Sequence, residues 1–268
     1  MMMKKSKHNL YIKLVFVLLL MITNVATYHL TVSHVRKEDA FKDINYENSN
    51  ESSMKKVTKK VAKASFQINE DMVKDIQNVM IVAHPDDETL WAGDHIRKNK
   101  YLIICLTNGD NKTRKKEFMK TMELTGNYGI ILNYPDNPKH IKSTWKNVKN
   151  SIQNDIEYIL NYKKWSGIVT HNPDGEYGHI QHKFTSFLVT NECVKLNNTD
   201  SLKYFEKFYK PNYILENNPK ETLNEKDIQL KKKLMNNIYL SQKYAYGLYQ
   251  HMIPFENLIA YKNWHFGY

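Results

Sequence analysis

The residues best suited to chemistry follow one apolar stretch of the chain. His84, Asp86 and Asp87 come directly after the apolar residues 79–82. Parallel α/β sheets place their chemistry at the carboxyl ends of strands, so this stretch is predicted to be a buried strand that ends in a functional loop. The His84 imidazole and the Asp87 carboxylate are ordinary ligands of Zn²⁺, which leaves Asp86 free to act as a base. The pattern predicts part of a metal site that needs a third ligand elsewhere.

A second group of histidines follows another strand candidate, residues 167–170. His179 and His182 are three positions apart, and a helical turn presents residues at this spacing on the same face. One of the two can therefore bind the metal while the other points at the group that the metal polarises. His171, at the end of the same strand candidate, is a less favoured fourth ligand. Together with the first loop, these histidines supply enough ligands for a zinc site.

The motifs in this order resemble those of the PIG-L/LmbE-like family of zinc-dependent deacetylases. The resemblance rests on three segments: Ala-His-Pro-Asp-Asp-Glu at residues 83–88, Leu-Thr-Asn-Gly-Asp at 106–110 and Gly-His-Ile-Gln-His at 178–182. It extends over roughly residues 77–189. Enzymes of that family remove the acetyl group from N-acetylglucosamine-type sugars and their conjugates. The first segment is highly specific, whereas the last becomes specific in combination with it.

The resemblance implies a role for five residues. His84, Asp87 and His182 would be the three zinc ligands, with an open position left for water and substrate. Asp86 would be the general base, and His179 would stabilise the oxyanion when its imidazole is protonated. Zinc suits a site with two imidazoles among three ligands better than Mg²⁺ does, while Fe²⁺ or Co²⁺ would also suit it. A zinc ion held in this way lowers the pKa of its water to about 7, which activates that water for attack on an amide.

One departure from the family pattern concerns the residues between the two histidines. Many relatives have Pro-Asp there, whereas this chain has Ile180 and Gln181. An acidic residue that orients a ligand histidine must then come from elsewhere in the chain. Asp110 and Asp174 are the candidates that the sequence offers.

Three further residues are predicted to bind substrate. By resemblance, Arg114 faces the substrate from the start of a helix, although a solvated helix-start residue would show the same spacing. Asn108 and Asp110 lie in a strand-to-helix loop over the same edge of the sheet and are predicted to line the pocket. Glu88 is expected to support its own loop through hydrogen bonds, and residues 134–137 are expected to form a turn at the pocket wall.

The elements that must position these residues alternate between strands and helices. This alternation predicts an α/β fold with a Rossmann-like, mostly parallel sheet flanked by helices, as in LmbE-like proteins. The strand candidates are residues 79–83, 101–107, 130–133, 167–170 and 213–215. The helix candidates are residues 113–125, 143–162 and 225–244.

The N-terminal residues have the pattern of an export signal. Lys4, Lys5 and Lys7 precede an apolar run at residues 14–22, as the charged and apolar regions of such a signal do. The candidate cleavage site at residues 24–26 has Asn where a small residue is wanted, which favours an uncleaved signal anchor over a cleaved signal peptide. The positive-inside rule then places the rest of the chain outside the cytoplasm. The predicted domains are a signal anchor or signal peptide at 1–30, a charged linker at 31–72 and a PIG-L/LmbE-like deacetylase domain at 73–268.

Composition weighs against two classes of protein. The net charge is +11, but the Lys residues are spread along the chain without an Arg-rich stripe, so nucleic-acid binding is not favoured. Cys105 and Cys193 are too few for a disulfide framework. Both are expected to be buried thiols.

The hypothesis that combines these observations is a zinc hydrolase that removes the acetyl group from an N-acetylated sugar. The N-terminal segment would hold it at the membrane with its catalytic domain outside the cytoplasm, or the protein would be secreted after cleavage. A surface polysaccharide, a glycolipid or a glycoconjugate would then be the substrate. One alternative is an amidase that acts on another N-acyl conjugate with the same zinc site. The other is a non-catalytic surface protein that binds glycans.

Overall fold

The structure is a computed structural model that describes residues 64–136 and 145–264. The predicted signal anchor, most of the predicted linker and the first two residues of the helix candidate at 143–162 lie outside these residues. Within the two described ranges, every helix is too short or too polar to cross a bilayer. The anchor helix therefore stays a prediction.

A six-stranded sheet forms the centre of the fold, which confirms the predicted α/β class. Its strands are β1 (Asn78–Val82), β2 (Tyr101–Thr107), β3 (Tyr128–Tyr134), β4 (Gly167–Thr170), β5 (Leu202–Phe205) and β6 (Leu258–Ala260). Their order across the sheet is β3-β2-β1-β4-β5-β6. The first five strands run parallel, and β6 pairs antiparallel with β5 at the edge. The strand order reverses between β1 and β4, and α/β sheets bind ligands in the crevice at such a point.

Helices cover both faces of this sheet. They are α1 (Glu70–Val73), α2 (Asp87–Lys98), α3 (Lys112–Thr125), α4 (Lys149–Tyr162), α5 (Ile180–Lys195), α6 (Pro211–Asn217), α7 (Glu225–Asn237) and α8 (Lys243–Tyr249). Short 3₁₀ turns occur at Thr199–Ser201, Leu240–Gln242, Gln250–Met252 and Tyr261–Asn263.

The apolar core consists of one layer on each side of the sheet. Val79 and Ile81 of β1 point into the layer that contains α4 and α5, whereas Met80 and Val82 point into the layer that contains α2, α3 and α7. This two-residue alternation explains why a central parallel strand reads as a continuous apolar run. Four apolar residues of α4 at helical spacing are buried in the first of these layers: Ile152, Ile156, Ile159 and Leu160. Both cysteines are buried and unpaired, as expected.

The sequence prediction was wrong for the strand at residues 213–215. These residues lie inside α6, which begins with Pro211 in its first turn, and Leu215 is 83% exposed. Proline is well tolerated at a helix start because its missing N–H has no helical acceptor there. The fifth parallel strand is β5 instead, and Tyr204 and Phe205 of that strand are fully buried. The helix predicted at 225–244 ends at Asn237, and a 3₁₀ turn separates it from α8.

Part of the predicted linker packs on the domain. The backbone N–H of Ser65 donates to Oδ1 of Asp155 in α4 at 2.7 Å. Ile68 is buried in the same apolar layer as α4. The segment from Ser65 onward is therefore joined to the sheet domain by a hydrogen bond and by burial.

Candidate metal centre

The two loops with the predicted ligands follow adjacent strands of the sheet. β1 and β4 pair in parallel, with Ile81 opposite Thr170. Their carboxyl ends therefore lie side by side, and the loops that follow them meet at the point where the strand order reverses. His84 comes from the first loop and His182 from the first turn of α5.

The first loop has an unusual backbone conformation at Asp86. Asp86 caps α2 in a left-handed conformation with φ of 119°. The N–H of His84 donates to Oδ2 of Asp87 at 2.8 Å, and the Asp86 N–H donates to the Glu88 carboxylate at 3.2 Å. A non-glycine residue in this region costs of order 1–3 kcal/mol and is maintained where the surrounding structure requires it. Glu88 thus supports the loop through hydrogen bonds, as the sequence analysis expected.

The three predicted metal ligands come together. Nδ1 of His84 lies 3.1 Å from Nε2 of His182 and 3.2 Å from Oδ2 of Asp87. Nε2 of His182 lies 3.4 Å from Oδ1 of Asp87. Two ligands at about 2.0 Å from a tetrahedral zinc ion lie roughly 3.3 Å apart, so the observed spacing matches such a site. All three side chains are buried.

Hydrogen bonds on the outer side of His84 determine which of its nitrogens faces this cluster. Gln181 donates through Nε2 to the carbonyl of Pro135 at 2.9 Å, which fixes the orientation of the amide because a carbonyl can only accept. Oε1 of Gln181 then lies 2.7 Å from Nε2 of His84 and accepts a hydrogen bond from the N–H at that position. When the ring is neutral, Nδ1 of His84 is left with a lone pair that points at His182 and Asp87.

Glu176 has the corresponding effect on His182. Its Oε2 lies 2.6 Å from Nδ1 of His182 and accepts a hydrogen bond from the N–H at that position. In the neutral ring, Nε2 of His182 therefore also presents a lone pair. Two lone pairs and a carboxylate therefore face one another, and such an arrangement requires a cation or a proton between them. Burial lowers the pKa of His84, but the carboxylates of Asp136 and Asp87 outweigh burial and raise it to about 10. This attraction for a positive charge, together with the ligand types, fits a divalent metal ion.

His171 lies beside the cluster and could in principle join it. Asp87, His171 and His182 place one ligand atom each within 4.8 Å of one another. However, the N–H of Ala83 donates to Nε2 of His171 at 3.0 Å, and this bond uses the lone pair that a metal would need. Nδ1 of His171 donates to Oε2 of Glu176 at 2.9 Å. His171 is therefore assigned as a support for the loop rather than a fourth ligand.

His179 is the last residue before α5 and lies close to both ligand histidines. Its ring centroid is 4.8 Å from that of His84 and 4.5 Å from that of His182. Burial and the neighbouring imidazoles lower the pKa of His179 to about 2, so its ring is neutral at neutral pH. From the sequence, this ring was expected to donate when protonated, whereas a neutral ring donates through one N–H only. Nδ1 of His179 is buried without a hydrogen-bond partner among the described residues.

Asp86 and the predicted substrate residues form a polar group next to this cluster. Arg114 donates to the carbonyl of Pro85 at 2.9 Å, lies 3.5 Å from Oδ1 of Asp86 and pairs with Asp136 at 3.2 Å. Asn108 donates to the same Asp136 carboxylate at 2.8 Å. Burial raises the pKa of Asp86, the Arg114 guanidinium opposes this effect and the Asp87 charge adds to it, with a result of about 8.

Some of the proposed residues lie away from this group. Asp110 is exposed, and its backbone N–H donates to the Asn133 side chain at 3.3 Å. Asp174, the other candidate for orienting a histidine, is also exposed. The acidic residue that orients His182 is Glu176, which the sequence analysis did not single out. Only its position in the loop after β4, between Gly175 and the histidine pair, could have indicated it.

Comparisons with known proteins agree with this geometry. A sequence model of the PIG-L family, described as GlcNAc-PI de-N-acetylase, matches residues 79–193. An uncharacterized protein of Acanthamoeba polyphaga mimivirus is 35% identical over 128 residues, which are 41% of this chain and 55% of that protein. The chain therefore spans about half the length of this relative. The match to the PIG-L family model, over residues 79–193, includes both metal-site loops and most of α5.

Proposed function

We propose that this protein is a metal-dependent deacetylase that hydrolyses the acetamide of an N-acetylated, GlcNAc-type sugar. One observation carries the proposal above the others. Nδ1 of His84, Nε2 of His182 and the Asp87 carboxylate point lone pairs at a common position. The Asp86 carboxyl group, whose pKa burial raises to about 8, belongs to the same loop. The match to the PIG-L family supports the reaction class.

The three ligands would hold the metal, and we propose zinc. Two imidazoles and one carboxylate form a common catalytic zinc set, while Fe²⁺ or Co²⁺ would also suit the site. A divalent ion at this position supplies a Lewis acid that lowers the pKa of water and polarises a carbonyl group.

Asp86 is the proposed general base. Its carboxyl group is nearly buried, and the Arg114 guanidinium restrains one of its oxygens at 3.5 Å. A group with a pKa of about 8 both takes a proton from water and returns it readily near neutral pH. In amide hydrolysis Asp86 would therefore accept the proton of the attacking water and deliver it to the leaving amine.

His179 is the proposed donor to the oxyanion. Its neutral ring has one N–H to donate, and its buried Nδ1 has no partner among the described residues. A donor that is already buried and oriented stabilises developing negative charge without reorganisation. A neutral imidazole can perform this role, so protonation of His179 is not required.

The polar group formed by Arg114, Asn108 and Asp136 is proposed to bind the sugar hydroxyls. The Arg114 side chain is 13% exposed and lies against Asp86. Nε of Arg114 is buried without a partner among the described residues, so it has a donor to offer. Asp110, which was predicted to join them, would contact only a substrate that extends toward the solvent.

The location of the substrate is proposed from the N-terminal sequence. A signal anchor at residues 1–30 would hold the domain at a membrane outside the cytoplasm, and a cleaved signal would release it. The substrate would then be a surface polysaccharide, a glycolipid or a glycoconjugate. The matched family model is described for a glycolipid, GlcNAc-PI, which favours a lipid-linked sugar as one class to test. Nucleic acid is not a proposed partner.

Acetate release tests this proposal directly. The full-length protein is purified with Asp86→Asn and with Asp174→Asn, a control that removes an exposed carboxylate outside the cluster. Bound metal and acetate release from N-acetylglucosamine and its oligomers are measured. We expect about one metal ion per chain in all three proteins and a rate loss of about 10²–10⁴-fold in D86N alone, because proton transfer by a positioned group contributes that much.

The other outcomes separate the remaining hypotheses. Metal without acetate release by the unaltered protein would favour an amidase for another N-acyl conjugate. Release that D86N leaves unchanged would remove Asp86 from the mechanism. A protein that binds sugar but no metal would be a glycan-binding protein, and the catalytic proposal would be wrong.

A further inference from the structure

Glu176 has a backbone conformation that needs an explanation. Its φ is 53°, in the left-handed region, and it follows Gly175 with φ of 66°. Glycine adopts this region at little cost, whereas a side chain such as glutamate rarely does. The Glu176 side chain is nevertheless fully buried. A strained and buried carboxylate is retained where the rest of the structure depends on it.

A neighbouring asparagine fixes the carboxylate in place. Oε1 of Glu176 accepts from the N–H of Asn172 at 2.9 Å, and the N–H of Glu176 donates to Oδ1 of Asn172 at 3.0 Å. Asn172 in turn donates through Nδ2 to the carbonyl of Glu206 at 3.0 Å. Oε1 of Glu176 is therefore hydrogen-bonded to the backbone, and this bond fixes the position of Oε2.

That second oxygen decides the proton positions of two imidazoles. Oε2 accepts from Nδ1 of His171 at 2.9 Å and from Nδ1 of His182 at 2.6 Å. In its neutral form, each ring therefore has an unprotonated Nε2. In His171 this nitrogen accepts from the N–H of Ala83 in the first loop, and in His182 it faces His84 and Asp87.

Glu176 also supplies charge. Two neutral imidazoles and Asp87 offer a divalent ion one negative charge, and Glu176 adds a second through the His182 ring at hydrogen-bonding distance. A buried cation is stable when nearby groups compensate its charge. Such outer hydrogen-bond partners also fix the ring orientation and raise the basicity of a ligand histidine.

We propose that Glu176 is a positioning residue that sets the Nε2-facing tautomer of His182 and His171 at once, and so joins metal binding to the conformation of the first loop. The inference rests on the proposed function in that it assumes a metal at this site. It assigns Glu176 the role that the sequence analysis sought in Asp110 and Asp174.

The test uses Glu176→Gln in the full-length protein. Glutamine has one acceptor oxygen, so its NH₂ group must take the place of one of the two carboxylate oxygens. In the first arrangement the NH₂ group replaces Oε1 and meets the Asn172 N–H. In the second it replaces Oε2, and both rings must then accept at Nδ1. The second arrangement moves a proton to Nε2 of His182, the atom that faces the metal. The control is Glu192→Gln, which removes another buried carboxylate from α5, one that pairs with Lys195.

Two readouts are measured on each protein. Zinc affinity is determined by competition with a chromophoric chelator, and histidine tautomers are determined from ¹⁵N shifts of the metal-free protein. We expect the zinc Kd of E176Q to rise about 10–100-fold, as is typical when such a partner is lost. We also expect the His182 signals to change from the Nδ1–H to the Nε2–H form. E192Q should retain both the affinity and the tautomer.

An unchanged zinc Kd and an unchanged His182 tautomer in folded E176Q would overturn the proposal, as would an equal loss of affinity in E192Q. If E176Q does not fold, the test uses Glu176→Asp, which keeps the charge on a shorter side chain. Full zinc affinity in E176D together with a protonated Nε2 of His182 would contradict the proposal. Neither readout needs a substrate. If the protein binds zinc as expected but releases no acetate, the proposed deacetylase function would be wrong and the role of Glu176 would still hold.

Discussion

Two buried clusters of polar and charged residues in this domain differ in how their hydrogen-bond acceptors are satisfied. Around Glu256, every carboxylate oxygen faces a donor: the N–H groups of Asp94 and His95, at 2.9 and 2.8 Å, and Nζ of Lys231 at 2.6 Å. At the candidate metal centre, acceptors face acceptors, because Nδ1 of His84 and Nε2 of His182 are 3.1 Å apart with a carboxylate beside them. The first cluster is complete without a ligand, whereas the second requires a positive charge.

The cause of the difference lies in what each cluster does for the fold. Helix α2 breaks at Ala92, where φ is −145°, and this break interrupts its hydrogen-bond ladder. Glu256 accepts from the N–H groups just after the break and ties them to α7 through Lys231. Its charges therefore hold the elements together. At the metal centre, Gln181 instead holds the His84 ring in place and Glu176 holds the His182 ring. These rings and the Asp87 carboxylate face one another.

Removal of the Glu256 charge should give the largest effect on stability. In Glu256→Gln, Lys231 stays buried, at 1% side-chain exposure, without its countercharge, and breaking a buried pair in this way costs about 3–5 kcal/mol. Urea unfolding of the metal-free protein measures the loss. Zinc affinity of the folded variant should stay at the value of the unaltered protein, and a parallel loss of affinity would erase the distinction between the clusters.

The same cluster should give stability a dependence on acid pH. Burial alone would raise the pKa of Glu256, but Lys231 and His95 lower it from 4.5 to about 2. A group with a lowered folded pKa stabilises the protein above its unfolded pKa, and this contribution is lost as pH falls from about 4.5 toward 2. The stability difference between the unaltered protein and E256Q should therefore be largest near neutrality and shrink below pH 4.5. A difference that does not vary over this range would contradict the ion-pair account.

At the other cluster, stability should respond to metal instead. Zinc at 100 times its Kd should stabilise the folded protein by about 2.7 kcal/mol, because it binds the native state selectively. Thermal unfolding with zinc or with a chelator gives the comparison. E256Q should keep this zinc-dependent increment although its starting stability is lower. No increment in the unaltered protein would mean that the facing lone pairs do not form a metal site.

The smallest effect should come from the segment before the sheet. Ser65→Ala removes the hydroxyl that donates to Asp155 and keeps the backbone bond at 2.7 Å. One such hydrogen bond contributes about 1 kcal/mol, so urea unfolding should show a loss of that size and zinc affinity should not change. A loss as large as that of E256Q would mean that this segment is a more integral part of the domain than its contacts indicate.

The sequence predicted well what depends on local spacing. β2 and β4 have the predicted bounds, and His84, Asp87 and His182 lie together as the motif order implied. These features follow from apolar runs, strand ends and helical spacing, each of which is visible within a few residues. The resemblance to PIG-L proteins then joined two loops that are almost a hundred positions apart, which spacing alone could not do.

What the sequence did not predict depends on partners distant in the chain. Nothing near Glu256 indicates that it meets Lys231 and a broken helix α2. Glu176 is closer to its histidines, but its role follows from a left-handed backbone that only the folded loop displays. The short apolar run at 213–215 fits a strand or a helix equally well, and burial against the sheet, which Leu215 lacks, decides between them.

The central claim is that lone pairs of His84, Asp87 and His182 form a metal site, and a zinc titration tests it most directly. Calorimetric titration of zinc into the metal-free full-length protein and into His182→Ala measures stoichiometry in both. We predict one tight site per chain in the unaltered protein and loss of that site in H182A. Absence of a site in the unaltered protein, or the same site in both proteins, would contradict the account.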